Sequence, residues 1–111
     1  MTDKLLMMFI SDDEAKARVG LQMASRMIQC RNLADVRDLF IGSSERLLAD
    51  PPEALVEPLT AVRAEGTPMA CRATAERMEI VQRLDAVGVE LVAAGQEVER
   101  RILDGYQVLT C

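Results

Sequence analysis

Cys71 closes the run Thr67-Pro68-Met69-Ala70-Cys71 and stands directly before the helical stretch Arg72-Ala73-Thr74-Ala75-Glu76-Arg77. At that place a helix dipole and the Arg72 guanidinium both favour a thiolate, the nucleophilic form of cysteine. The chain has three cysteines, at positions 30, 71 and 111, and no histidine. Without histidine it cannot build a Ser-His or Cys-His pair, or a His-containing zinc site, from its own residues. Three widely spaced cysteines without a Cys-x-x-Cys pair are a weak metal signal, and their odd number fits no framework of paired bridges. At least one thiol is therefore free, and no metal or organic cofactor is implied. A large part of enzyme chemistry is thereby excluded, and Cys71 is the best candidate for what remains.

Each of these residues also has a plainer reading. A cysteine at a strand end is often a small buried hydrophobe, and a buried thiol is inert. Cys30 closes the first helix beside Ile28, which favours helix-end packing. Cys111, the last residue after a strand, is a secondary candidate as a thiol able to exchange with Cys71. The acidic group Asp12-Asp13-Glu14 is explained by helix capping rather than by a cation. The methionines at 7, 8, 23 and 27 read as gap-filling core. Arg100-Arg101 reads as a solvated face or an ion-pair donor between subunits. Gly42-Ser43-Ser44 reads as a turn, since one glycine falls far short of a phosphate-cradling motif.

The elements that must position Cys71 alternate between strand and helix. Lys4–Ile10 is a continuous apolar run, as in a central strand covered on both faces. Ser11 and Glu14 have capping-box spacing, so a helix starts there with Ala17, Gly20, Leu21, Ala24, Met27 and Ile28 as its inward stripe. Val36–Ile41 is a second strand, followed by a turn and a short helix through Leu48. Asp50 is the expected cap of a third helix that has Leu55, Val56, Leu59 and Val62 inward and a kink at Pro58. Thr67 to Ala70 or Cys71 is the third strand. Helical periodicity runs from Arg72 to Ala86 and leaves open whether Arg77-Met78-Glu79-Ile80 divides it. Val89–Val92 is a fourth strand, Gln96–Leu103 a helix with Val98 and Ile102 inward, and Tyr106–Thr110 a fifth strand. Strands joined by helices run mostly parallel with right-handed crossovers, which gives a three-layer α/β/α sheet of five strands. Ligand sites in such sheets lie beyond the carboxyl ends of the strands, where Cys71 is placed.

At 111 residues, half of them apolar and 28% charged, the chain suits one folded domain over residues 1–111 with a core that needs no staples. A net charge of -5 with one Tyr and two Phe argues against nucleic acid, whose single strands stack on aromatic platforms above cationic grooves. No apolar run approaches the roughly 18 residues needed to span a bilayer, and the first residues lack a basic n-region and a cleavage site. The expectation is a cytoplasmic protein with no membrane span.

Leu39-Phe40-Ile41-Gly42, Pro68-Met69-Ala70-Cys71-Arg72-Ala73, Gly88-Val89-Glu90-Leu91-Val92-Ala93-Ala94-Gly95 and Gly105-Tyr106-Gln107-Val108-Leu109-Thr110, in that order after an apolar first strand and a helix, resemble the DsrE/DsrF (TusD-like) sulfur-relay family. The resemblance covers nearly the whole chain. It implies an α/β/α domain in the cytoplasm that assembles into a homotrimer or hexamer. It also implies a sulfurtransferase-type relay in which Cys71 holds a persulfide, taken from a sulfur-donor protein and passed to an acceptor protein. Arg72 is its expected support. Where the family tends to close the helix after this cysteine with Arg-Gly and an apolar residue, this chain has Arg77-Met78-Glu79-Ile80. Two other readings stand beside the carrier: a non-catalytic oligomeric subunit of the same kind, and a small-ligand-binding module whose cleft Cys71 merely lines.

Overall fold

The computed structural model describes residues 3–111. Among these residues lie the strands β1 (Lys4–Phe9), β2 (Asp35–Phe40), β3 (Met69–Cys71), β4 (Glu90–Val92) and β5 (Tyr106–Thr110). The helices are α1 (Glu14–Cys30), α2 (Glu45–Ala49), α3 (Glu53–Glu65), α4 (Arg72–Arg77), α5 (Val81–Ala86) and α6 (Ala94–Leu103), with a 3-10 turn over Gly42–Ser44 ahead of α2. All strand pairs are parallel, in the order β4-β3-β2-β1-β5. The three-layer α/β/α architecture is thus the one expected. β1 is interior, flanked by β2 and β5, although β2 holds the middle place.

The apolar run of β1 is divided between two cores by the two-residue period of a strand. Leu5, Met7 and Phe9 face one core with Phe40, Ala70 and Leu91, while Leu6 and Met8 face the other with Leu39, Met69 and Val92. Helices α1, α2, α3 and α5 pack on the first face through Ala17, Leu21, Leu48, Leu55, Leu59 and Leu84. Only α6 packs on the second, through Ala94 and Val98. A right-handed crossover explains this division. The chain steps from β1 to β2, β3 and β4 in one direction, so its connecting helices share one face. It then returns past β1 to β5, and the helix of that reversed step falls on the opposite face.

Local chemistry moves several boundaries. The capping box expected at Ser11 is replaced by Asp13, whose Oδ1 accepts from the Lys16 amide at 3.0 Å, while Ser11 Oγ accepts from the Asp13 amide at 3.1 Å. Asp is as good a cap as Ser, and the turn at Ser11 leaves Asp13 next to the helix. Asp50 does not cap α3, because its amide donates to the Arg46 carbonyl and closes α2; Pro52 takes the cap position without a side-chain bond. The helix α3 continues through Pro58. The helical stretch after Cys71 is divided: Glu79 takes a left-handed φ of 58°, and the Ile80 amide reaches back to the Ala75 carbonyl at 3.0 Å. That closure is a Schellman-type end with the buried Ile80 as its apolar contact. Ile102, expected to face inward, is 54% exposed, whereas Val98 packs against the second core as expected and Glu97 is buried.

An ionic cluster ties α6 to its face. Arg101 Nε donates to Glu97 Oε2 at 2.6 Å and its Nη1 to the Tyr106 hydroxyl at 3.0 Å, and Tyr106 donates in turn to Asp35. The Tyr106 ring lies near both Lys4 and the Arg101 guanidinium, at 5.5 and 5.0 Å. This reading replaces a solvated role for Arg101, whose side chain is only 12% exposed. Among the described residues no helix is long and apolar enough to cross a membrane.

Packing is close where α1 crosses β1. Phe9 and Phe40 stack with ring centroids 4.5 Å apart, and a Cβ at Gly20 would lie 2.7 Å from Phe9 Cε2 and 2.8 Å from Cys111 Sγ. The fully buried Phe9 has no room to move. Overpacking costs about 1–3 kcal/mol, against about 1 kcal/mol gained from helix propensity. Gly20→Ala is therefore expected to destabilise the protein by up to about 2 kcal/mol in urea unfolding. A raised midpoint would show that α1 does not approach β1 this closely.

Candidate functional site

β3 and β4 are neighbours, paired Cys71 to Val92, and their following helices leave to opposite faces of the sheet. Between two such strands a crevice opens beyond the carboxyl ends, which is the usual ligand position in an open α/β sheet. Cys71 stands at its edge as the last residue of β3 and the cap residue of α4. It is half-buried and packs against the second core. Burial pushes its thiol pKa up, yet the Thr74 amide and hydroxyl together with the amides of Ala94 and Ala73 overcome this and hold it below the ordinary 9.0. These donors do not make a regular side-chain cap on α4. They nonetheless converge on the sulfur from both sides of the crevice, two residues from α4 and one from α6.

Arg72, the expected support, is exposed and is not among the groups acting on the thiol. With only six residues, α4 also has little macrodipole to offer. The donors are neutral groups, and two of them escaped the sequence reading. The sequence places the start of this helix at Gln96, but α6 begins at Ala94, with only Ala93 between it and β4, which carries the Ala94 amide to the sulfur. Thr74 lay inside an ordinary helical pattern; it is 5% exposed.

Glu45 is the third unforeseen residue. It opens α2, is 0% exposed, and neither of its carboxylate oxygens has a hydrogen-bond partner of regular geometry. Burial pushes its pKa up to about 7, against the amides of Gly42 and Cys71, the Thr74 hydroxyl and the Arg77 charge, which pull it down. The neighbouring Ser44 is also fully buried, its hydroxyl donating to the Phe9 carbonyl at 2.5 Å. The turn 42–45 is thereby pinned to β1, behind the end of β3.

The other two cysteines lie apart. Cys30 is exposed at the end of α1, not packed there, and belongs to the amino-terminal edge of the sheet. Cys111 extends the β5 ladder, its amide donating to the Met8 carbonyl at 2.7 Å, and packs against the first core. It is therefore on the opposite face from Cys71. Three strand spacings of about 4.8 Å separate β5 from β3, beyond disulfide reach, so thiol exchange within one chain is ruled out. Burial and the Asp38 charge both raise the Cys111 thiol. Asp38 is itself pushed up to about 7 by burial, with one carboxylate oxygen unpartnered.

No family model and no curated protein matches the chain. Solved structures do. A conserved protein of unknown function from Bacteroides thetaiotaomicron superposes with a TM-score of 0.86 at 17% identity, over 98% of this chain and 95% of that one. A protein of unknown function from Methanobacterium thermoautotrophicum gives 0.72 at 14% identity, over 97% and 98%. These likenesses establish the fold alone.

The Ala94 amide can be removed without breaking α6, because proline is well tolerated at a first helical position and Ala93 is already extended. A hydrogen bond to a charged group contributes about 1.5 kcal/mol or more, roughly a tenfold effect. Ala94→Pro is expected to slow Cys71 alkylation by iodoacetamide at pH 7.5 about tenfold with helix content unchanged. An unchanged rate would remove α6 from the site.

Proposed function

We propose that the protein is a sulfur carrier that holds a persulfide on Cys71 and passes it between a sulfur-donor protein and an acceptor. The observation that carries this reading is the half-buried Cys71 thiol at the β3–β4 crevice, its pKa lowered by donors from two helices. The DsrE/DsrF resemblance points to the same residue. A carrier needs a nucleophilic sulfur that is also a fair leaving group, and a lowered thiol pKa favours both halves of that cycle. The same amides and hydroxyl would hold the charge of a bound persulfide.

The surroundings favour a protein-borne sulfur over a large free ligand. Two broad open grooves mark the surface, of about 930 Å³ between α1 and α3 and about 690 Å³ beside α2 and α5, and neither includes Cys71. The homotrimer or hexamer implied by the resemblance belongs to the same proposal. Exposed apolar side chains at Val108 and Leu109 on the outer strand and Leu103 at the end of α6 offer it a surface.

Incubation with a sulfane-sulfur donor, followed by intact-mass measurement, should give an adduct of about 32 Da that is removed by thiol reduction and absent from Cys71→Ser. An adduct that persists in Cys71→Ser would move the chemistry to another cysteine. No adduct from several donors would leave Cys71 as a lining or packing residue of a non-catalytic subunit.

A further inference from the structure

Glu45 is hard to explain as a structural residue. A carboxylate wholly inside the protein with neither oxygen regularly bonded is costly, and an apolar side chain of its size would fill the same place without that cost. The polar groups that act on it are specific, however. The Cys71 amide and the Thr74 hydroxyl both act on the Glu45 carboxyl, and the Thr74 hydroxyl also acts on the Cys71 thiol. Thr74, itself 5% exposed, is the polar side chain common to both.

We propose that Glu45 is the proton acceptor for Cys71, with the Thr74 hydroxyl as the relay between them. This deepens the carrier reading and takes its sulfur chemistry from it. A hydroxyl has one proton and two acceptor positions, so Thr74 can accept from the thiol while donating to the carboxylate. On transfer, Thr74 gives its proton to Glu45 and takes the Cys71 proton. The new hydroxyl then donates to the thiolate, and protonated Glu45 donates to Thr74 Oγ1. The pair keeps one negative charge throughout, so forming the nucleophile adds no charge to a partly buried site.

The sulfur step then balances. The Cys71 thiolate attacks the outer sulfur of a donor persulfide, RS–SH; the new S–S bond forms on Cys71 with its electron pair, and the old bond breaks onto the donor, which leaves as RS⁻. The proton held by Glu45 neutralises that leaving thiolate, and the net exchange is Cys71–SH + RS–SH → Cys71–S–SH + RSH, with no external oxidant or reductant. The energetics agree with the geometry. Burial raises the carboxyl to about 7 while the donors around Cys71 lower its thiol, so the two groups approach the matched values that proton transfer favours. Arg77 on α4 is the charged group acting on Glu45, and the donors to Cys71 from α4 and α6 are neutral.

The test is the pH dependence of iodoacetamide alkylation at Cys71 in the full chain, read site by site by peptide mass spectrometry. Two groups sharing a proton titrate in coupled steps. The wild-type rate should therefore rise in two steps with a plateau between them, the lower step following the Glu45 carboxyl. Glu45→Gln should give a single rise without the plateau. Thr74→Val should lower the plateau about tenfold, the effect of a lost hydrogen bond to a charged group, and Thr74→Ser should restore it. A single-step wild-type profile, or a plateau that survives Glu45→Gln, would overturn the assignment. If Glu45→Gln fails to fold, the Thr74→Val and Thr74→Ser pair decides the matter alone, an equal plateau in both overturning it. Alkylation requires no persulfide, so a missing sulfur adduct would end the carrier reading without touching this result.

Discussion

The site rests on the handedness of the chain's crossovers. Four strands laid down in one direction place their helices on one face, and the single reversed step from β4 to β5 sends α6 to the other. Were β5 to follow β4 at the sheet edge, α6 would join the other helices and no amide would approach Cys71 from the far side. The reversal opens the crevice between β3 and β4 and, because only Ala93 separates α6 from β4, brings the Ala94 amide to its edge. The Arg101, Glu97, Tyr106 and Asp35 cluster then fixes α6 against a face that no other helix covers.

Two thiols at the same end of one sheet show how much the surroundings decide. Cys71 and Cys111 are both half-buried, and burial alone would make each inert. Cys71 meets three amides and a hydroxyl, which outweigh burial; Cys111 meets the apolar Phe9 side and the charge of Asp38, which add to it. Neutral donors fixed in helix starts suit a sulfur that alternates between thiol and thiolate. They hold an anion without the long, mobile side chain that Arg72 would have to order at an entropic cost.

The layout of the sheet was legible because its signals are dense: an unbroken apolar run for β1, the apolar end Leu39-Phe40-Ile41 of the second strand, a stripe along α1 and helical links that force parallel strands. The rule for ligand positions then pointed to the end of β3. The site's other members left weaker traces. A glutamate after Gly42-Ser43-Ser44 reads as a first-turn surface residue, since its burial comes from the turn being pinned to β1 by Ser44, a contact 35 residues away in sequence. The helix start at Ala94 leaves little trace because Ala-Ala-Gly carries no capping side chain, and α6 begins without one. Asp13 displaced Ser11 as a cap because several acceptable caps lie within one short polar run. Glu79 shows the reverse case. A left-handed glutamate closes α4, a conformation that the residue itself disfavours, so its type gave no sign of the break.

The central claim is that the fold, not the amino acid, makes Cys71 the nucleophilic thiol. A carbon-13 NMR titration of the cysteine Cβ resonances of the folded protein tests it directly, since Cys71 and Cys111 report side by side under identical conditions. The account predicts that Cys71 begins to ionise below 9.0 and ahead of Cys111. A Cys71 resonance that titrates together with Cys111 or after it would contradict the account.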